Sequence, residues 1–229
     1  MVTALCNEAM RRLVPKDREL RGLDTTFVGP ALAGEVSIDA EVLRSGKAVT
    51  IARSRLWSEG KIAATLTGIY GAARATELSL TPTVAAGVRG VDELPVPPTA
   101  KMGGPSFLQH FAYRWAEGTR PFAGSNLRTS KIYVRHRDPA PLTESHVVAL
   151  IDSIPSVILQ LMSTVAPSSS LTWSLQLLRH DFSFAPEAWW RIDAEVNSAG
   201  SGYSCESCLL VDPCGRPAAI ARQMVAVFG

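Results

Sequence analysis

Ala149-Leu150-Ile151-Asp152-Ser153-Ile154-Pro155-Ser156-Val157-Ile158-Leu159 is apolar on nearly every side, the pattern of a helix buried by its surroundings. One carboxylate, Asp152, interrupts it. A buried charge is costly unless it is paired or hydrogen-bonded, so Asp152 is either tied down by donors or kept for chemistry. The helix is expected to start after Thr143, a suitable N-cap, and to run to about Met162. Pro155 falls inside that span, where it removes a backbone donor and disturbs the helical bonding near the carboxylate. Beyond the helix, residues 169–179, 189–197 and 203–211 alternate like strands. Asp212-Pro213-Cys214-Gly215 then turns the chain into a last run, residues 216–228. These runs are long enough for an antiparallel sheet to curl around one helix.

Working back toward the N-terminus, residues 107–115 and 130–137 read as strands, and Asp138-Pro139-Ala140-Pro141 breaks the pattern before the helix. Residues 80–106 carry Pro82, Pro95, Pro97, Pro98 and Pro105 with several glycines, the composition of a connector. Ahead of it, residues 2–14 place Val2, Leu5, Ala9 and Leu13 at helical spacing, until Pro15 stops the run. Phe27-Val28-Gly29-Pro30 makes a short extended piece. Three alternating strands then follow, about residues 36–44, 48–57 and 61–70, turned at Gly46 and Gly60.

The two halves repeat. Ile38-Asp39-Ala40-Glu41-Val42 recurs as Ile192-Asp193-Ala194-Glu195-Val196, and Ala4-Leu5-Cys6-Asn7 parallels Ala149-Leu150-Ile151-Asp152. The shared order of helix, strands and glycine turns makes duplication the better account. A helix gripped by an antiparallel sheet is the hotdog arrangement. The chain reads as an α+β double hotdog: residues 1–80, a linker over 81–105, and residues 106–229. Asn7 stands where the second copy has Asp152, and Gly68 about where it has Gln223, so any chemistry belongs to the second half.

Bulk properties exclude several classes. The 229 residues, 46% hydrophobic and 19% charged, fold as one large domain or two smaller ones. A net charge of +2, with no basic run interleaved with aromatics, gives no sign of a nucleic-acid partner. The longest apolar window, residues 147–162, is too short to span a bilayer, and no secretory signal pattern is present, so a cytoplasmic location is expected. Cys205-x2-Cys208 near Cys214 has the look of a zinc motif. However, i and i+3 on a strand point to opposite faces, and no nearby fourth ligand completes the set. No metal and no cofactor are expected. His110, His136, His146 and His180 are scattered, with His136 and His146 read at solvated element ends. Asp138, Asp193 and Asp212 read as solvated.

Gln223 shares one strand face with Ala219, Ala221, Val225 and Val227, so it needs hydrogen-bond partners in apolar surroundings. It either ties down a neighbouring backbone or holds a water or a carbonyl oxygen. Ser168, Ser170, Thr172 and Ser174 alternate with Leu171, Trp173 and Leu175, and one or two of these hydroxyls can join Asp152 and Gln223 in a polar cluster. Asp152 itself is either a base or water-orienting acceptor, or a staple between helix and strand.

Taken together, Leu43-Arg44-Ser45-Gly46-Lys47, Ile132-Tyr133-Val134-Arg135, Ala149-Leu150-Ile151-Asp152 with Pro155, and Asp212-Pro213-Cys214-Gly215-Arg216 leading to Ala221-Arg222-Gln223 resemble the acyl-CoA thioesterase II type of double-hotdog protein. The resemblance covers almost the whole chain. It implies hydrolysis of acyl-CoA to a fatty acid and CoA, a catalytic set of Asp152, Ser170 (Thr172 if the register slips by two) and Gln223 around a water, backbone N–H groups near the helix for the oxyanion, and a homodimer. Such proteins usually carry a strand and a glycine-rich loop before the first helix, so here either the start is trimmed or the first sheet is one strand short. The alternative reading is a non-catalytic acyl-CoA or acyl-carrier binding protein on the same scaffold.

Overall fold

A computed structural model describes residues 1–96, 104–138 and 140–228. Part of the expected linker, residues 97–103, lies outside the described residues. The elements in chain order are helix α1 (Val2–Arg11), strands β1 (Glu19–Phe27), β2 (Val36–Ser45), β3 (Val49–Ser58), β4 (Lys61–Gly71), β5 (Phe111–Glu117) and β6 (Thr129–His136), helices α2 (Glu144–Asp152) and α3 (Ile158–Leu161), then β7 (Ser168–Leu177), β8 (Trp190–Gly200), β9 (Tyr203–Val211) and β10 (Pro217–Val227). All ten strands belong to one sheet, ordered β2-β3-β4-β1-β7-β10-β9-β8-β6-β5. Every pairing in it is antiparallel.

The duplication is visible in that order. In each half the strand that follows the helix lies at the centre, and the next three pair outward from the far side inward: β2-β3-β4-β1 on one side, β8-β9-β10-β7 on the other. The identical pentapeptides occupy corresponding strands, β2 and β8, with Ile192, Ala194 and Val196 buried in the second copy. Strands β6 and β5 extend the second half beyond β8.

Strand β1 corrects the sequence reading, which had only a short extended piece at its end. Its period is broken where the pairing register shifts between Leu20 and Gly22, so the buried residues run Leu20, Leu23, Thr25 instead of alternating strictly. Period two is the signal by which a strand is recognised, and a bulge erases it. Yet β1 is the strand that joins the halves, pairing with β4 on one side and β7 on the other.

The second helix is also shorter than expected. Thr143 stands at its N-cap, with its backbone N–H donated to His146 Nδ1 at 3.2 Å. The helix ends at Asp152, five residues lie outside it, and the single turn α3 follows. Pro155 has no N–H, and its ring disfavours helical backbone at Ile154. Helix α2 is buried on Val147, Val148, Ala149, Leu150 and Ile151 within the main core. The described linker residues strap the outer face of the second half: Arg114 donates to the carbonyls of Val91 and Leu94, and Tyr133 to that of Arg89.

Two polar expectations change. Asp212, read as a solvated turn residue, is buried and takes the backbone N–H groups of Cys214 and Arg216 and the Arg216 guanidinium. His136 is half-buried, its Nε2 3.0 Å from the His146 carbonyl, and burial holds its pKa below the usual imidazole range.

Leu23 is fully buried on β1, opposite Gly68 on one side and Leu175 on the other. Leu23→Ala is therefore expected to cost about 2–5 kcal/mol of stability, read as a drop in the urea midpoint. An unchanged midpoint would show that this seam does not hold the halves together.

Candidate active site

Asp152 ends α2 where the helix breaks, with 17% of its side chain exposed, so water reaches it. Its Oδ2 accepts the Thr3 hydroxyl at 2.7 Å and the Met1 amino group at 2.8 Å, both from the region of α1. Among the described residues, no hydrogen-bond donor reaches Oδ1. Across the core, Gln223 sits on β10 in register with Trp173 of β7 and Glu206 of β9. Asp152, Gln223 and Glu206 line one cavity of about 20 Å³, together with Ile151, Ile154, Trp173 and Cys208. That is room for about one water molecule.

The serine and threonine candidates separate at a bulge. Between Met224 and Val225 the β10–β7 register shifts, so that Met224 faces Thr172 and Val225 faces Ser170, with Leu171 as the extra residue. The strict alternation assumed from the sequence fails there. Ser170 comes round to the side of Gln223, and its hydroxyl makes a long contact, 3.4 Å, to Gln223 Oε1. Thr172 is exposed and paired with Thr26 and Met224; neither hydroxyl lines the cavity, and what sets Ser170 apart is its contact with Gln223.

Glu206 is the residue that sequence reasoning missed. It is only 4% exposed and collects five donors: Ser156 Oγ (2.6 Å), Ile158 N (2.9 Å) and Ser204 Oγ (3.3 Å) on Oε1, with Val157 N (2.9 Å) and Gln223 Nε2 (2.9 Å) on Oε2. Two of these are backbone groups beyond Pro155, so part of what the break frees goes to this carboxylate. From the other side, Tyr113 on β5 donates its hydroxyl to the Ser153 carbonyl at 3.0 Å. A signal was available. Glu206 shares strand parity with Ser204, Cys208 and Leu210, the same test that singled out Gln223.

The corresponding place in the first half is filled. Gly68 on β4 stands in register with Leu23 and Ala52, as Gln223 does with Trp173 and Glu206. A Cβ on Gly68 would lie 2.7 Å from the Tyr70 ring. That ring is fully buried, and its hydroxyl donates to Asn7 Oδ1 at 2.8 Å. The amide that replaces the helix aspartate is thus engaged by a phenol, and Asn7 Nδ2 is spent on Glu144 and Ser145.

Among the described residues, no group of three or more His, Cys, Asp or Glu is placed to hold a metal ion, and no helix is long and apolar enough to cross a membrane. All four cysteines are free, Cys205 and Cys214 exposed and Cys6 buried. Cys208 faces the cavity, where burial first, and then the neighbouring Glu206 charge, push its thiol up to about 12. A thiol raised that far is not the nucleophile at neutral pH. Iodoacetamide at pH 8 is expected to label Cys205 and Cys214 while sparing Cys208 in the folded protein, read by peptide mass spectrometry. Labelling of Cys208 at the rate of the exposed pair would contradict a raised thiol at this half-buried position.

Comparison with known proteins gives two family matches: residues 1–71 match the model of the acyl-CoA thioesterase N-terminal domain and residues 90–227 that of the acyl-CoA thioesterase C-terminal domain. The fold is similar to that of the acyl-CoA thioesterase II of Mycobacterium marinum, with a TM-score of 0.79 and 18% identity over 99% of this chain and 87% of that one. It is similar also to a conserved hotdog-fold protein of Alicyclobacillus acidocaldarius (TM-score 0.83, 18% identity, 100% and 86% covered). The tesB protein of Mycobacterium avium subsp. paratuberculosis gives a TM-score of 0.77 at 15% identity, with 100% and 86% covered. No curated protein sequence matches. The double-hotdog expectation stands.

Proposed function

Because the chain belongs to the acyl-CoA thioesterase family and is a thioester hydrolase, we propose that it cleaves acyl-CoA with a water held between Asp152 and Gln223. The observation that carries this reading is the water-sized cavity with both side chains in its wall. Asp152 and Gln223 Oε1 would each accept a hydrogen bond from that water, fixing it with a lone pair free for attack. Ser170, in contact with Gln223 Oε1, is the assigned hydroxyl of the set, and Thr172 is the weaker candidate.

In the proposed step, the water oxygen adds to the thioester carbonyl carbon while its proton passes to Asp152. The carbonyl becomes an oxyanion, which we assign to the backbone of the helix break, where Ile154 lines the same cavity. The N–H groups of Val157 and Ile158 are already committed to Glu206. Collapse of the tetrahedral species breaks the C–S bond. The departing thiolate takes the proton back from Asp152, giving a free fatty acid, CoA and a restored carboxylate. No acyl-enzyme forms.

The division into residues 1–80 and 106–229, the homodimer and a cytoplasmic location belong to this proposal. Apolar Val42 and Leu43, exposed on edge strand β2, support the dimer. Light scattering is expected to give twice the chain mass, and a monomer at micromolar concentration would remove the dimer from the proposal.

Thiol release from a chain-length series of acyl-CoAs tests the chemistry. Asp152→Ala and Gln223→Ala are each expected to lower kcat by about 10²- to 10⁴-fold while leaving the fold intact. Undiminished turnover in both would end the assignment of these residues. Tight binding of acyl-CoA without turnover in the unaltered protein would favour a carrier role.

A further inference from the structure

We infer that Glu206 is a positioning residue: its carboxylate fixes which end of the Gln223 amide faces the water cavity. The inference rests on the assignment of Gln223 to the hydrolytic site and deepens it. An amide in a cavity wall has two nearly isosteric ends, one that donates and one that accepts. Nothing in Gln223 itself decides between them. Ser170 does not decide either, since a hydroxyl can donate or accept.

Glu206 does decide. It lies in register with Gln223 on the neighbouring strand, is only 4% exposed, and takes its other four contacts from two serine hydroxyls and two backbone N–H groups. All of those are donated to it. The carboxylate therefore has only acceptors to offer, and Gln223 must present its NH2 group, as it does at 2.9 Å. The amide oxygen is then turned toward Ser170, which lies outside the cavity lining, and keeps a second lone pair that can accept from a water between Gln223 and Asp152. The same carboxylate receives the Val157 and Ile158 N–H groups beyond the break that Pro155 imposes, so one buried group both anchors that segment and orients Gln223. In the first half the matching position is Ala52, beside Gly68, where there is no amide to orient.

Glu206→Gln tests this with shape conserved. One oxygen becomes an NH2 group, the Gln223 amide is free to turn over, and its donor end can enter the cavity. Steady-state thiol release from the acyl-CoA series is expected to show kcat lowered by about 10²-fold with KM changed less than about twofold. Added to Gln223→Ala, the same substitution is expected to lower kcat no further. By nitrogen-15 NMR, the Gln223 side-chain NH2 protons are expected to exchange slowly in the unaltered protein, held by Glu206, and to lose that protection in the variant. A merely structural Glu206 would instead give an additive loss in the Gln223→Ala background, and that result overturns the inference. So does unchanged kcat in Glu206→Gln while Gln223→Ala is impaired, or retained NH2 protection. Full activity in Gln223→Ala would overturn the hydrolytic assignment itself, and this inference with it. If Glu206→Gln fails to fold, Glu206→Asp, which draws the carboxylate back by one methylene, is judged by the same three readouts.

Discussion

The break in α2 is the constraint on which the site depends. An uninterrupted helix from Thr143 to Met162 would satisfy its own backbone and leave Asp152 in mid-turn among apolar neighbours. Pro155 forbids this, because it lacks a donor and crowds Ile154 out of helical backbone. The helix stops at Asp152, which brings the carboxylate to a helix end that water can reach. The loosened backbone must then find partners inside the core. Glu206 and Tyr113 supply them from β9 and β5. Polar groups that would be a liability without partners become a structured corner once each finds a donor or acceptor.

The duplicated scaffold shows what a site needs beyond its fold. Both halves share helix, strand order and even a pentapeptide, yet only the second surrounds its helix residue with Gln223 and Glu206. The first half replaces these with Gly68 and Ala52 and lays the Tyr70 ring over the gap. An asparagine there meets a phenol hydroxyl instead of a water-sized space. Packing, not topology, has filled this place in the first half and left a cavity at the candidate site in the second.

Joining the halves is the work of β1 and β7. Their pairing makes one sheet out of two, so that the two helices meet and Thr3 of α1 reaches Asp152 of α2. The second-half aspartate therefore takes two of its donors from the first half, while the residues that line its cavity all come from the second. Strand β1 could not be recognised from alternation because its bulge displaces the buried residues by one. A strand is defined by its partners as much as by its own residues, and its partners lie far away in sequence.

The amino-acid sequence by itself determined the α+β class, the duplication, the buried helix with its carboxylate and the inward amide of Gln223. Each of these is written in a period, a repeat or a single residue out of keeping with its neighbours. Where that helix ends was only half legible: Pro155 announced a disturbance, but not that the helix would stop at Asp152. Only the tertiary structure decided which hydroxyl meets Gln223, because a bulge at Leu171 changes the face on which Ser170 and Thr172 stand. It alone also disclosed the partners of Glu206, whose parity marks it as inward but whose donors lie on three separate segments. Periodicity reports which side a residue faces; what waits on that side is settled by the register between strands, and register is a property of pairs.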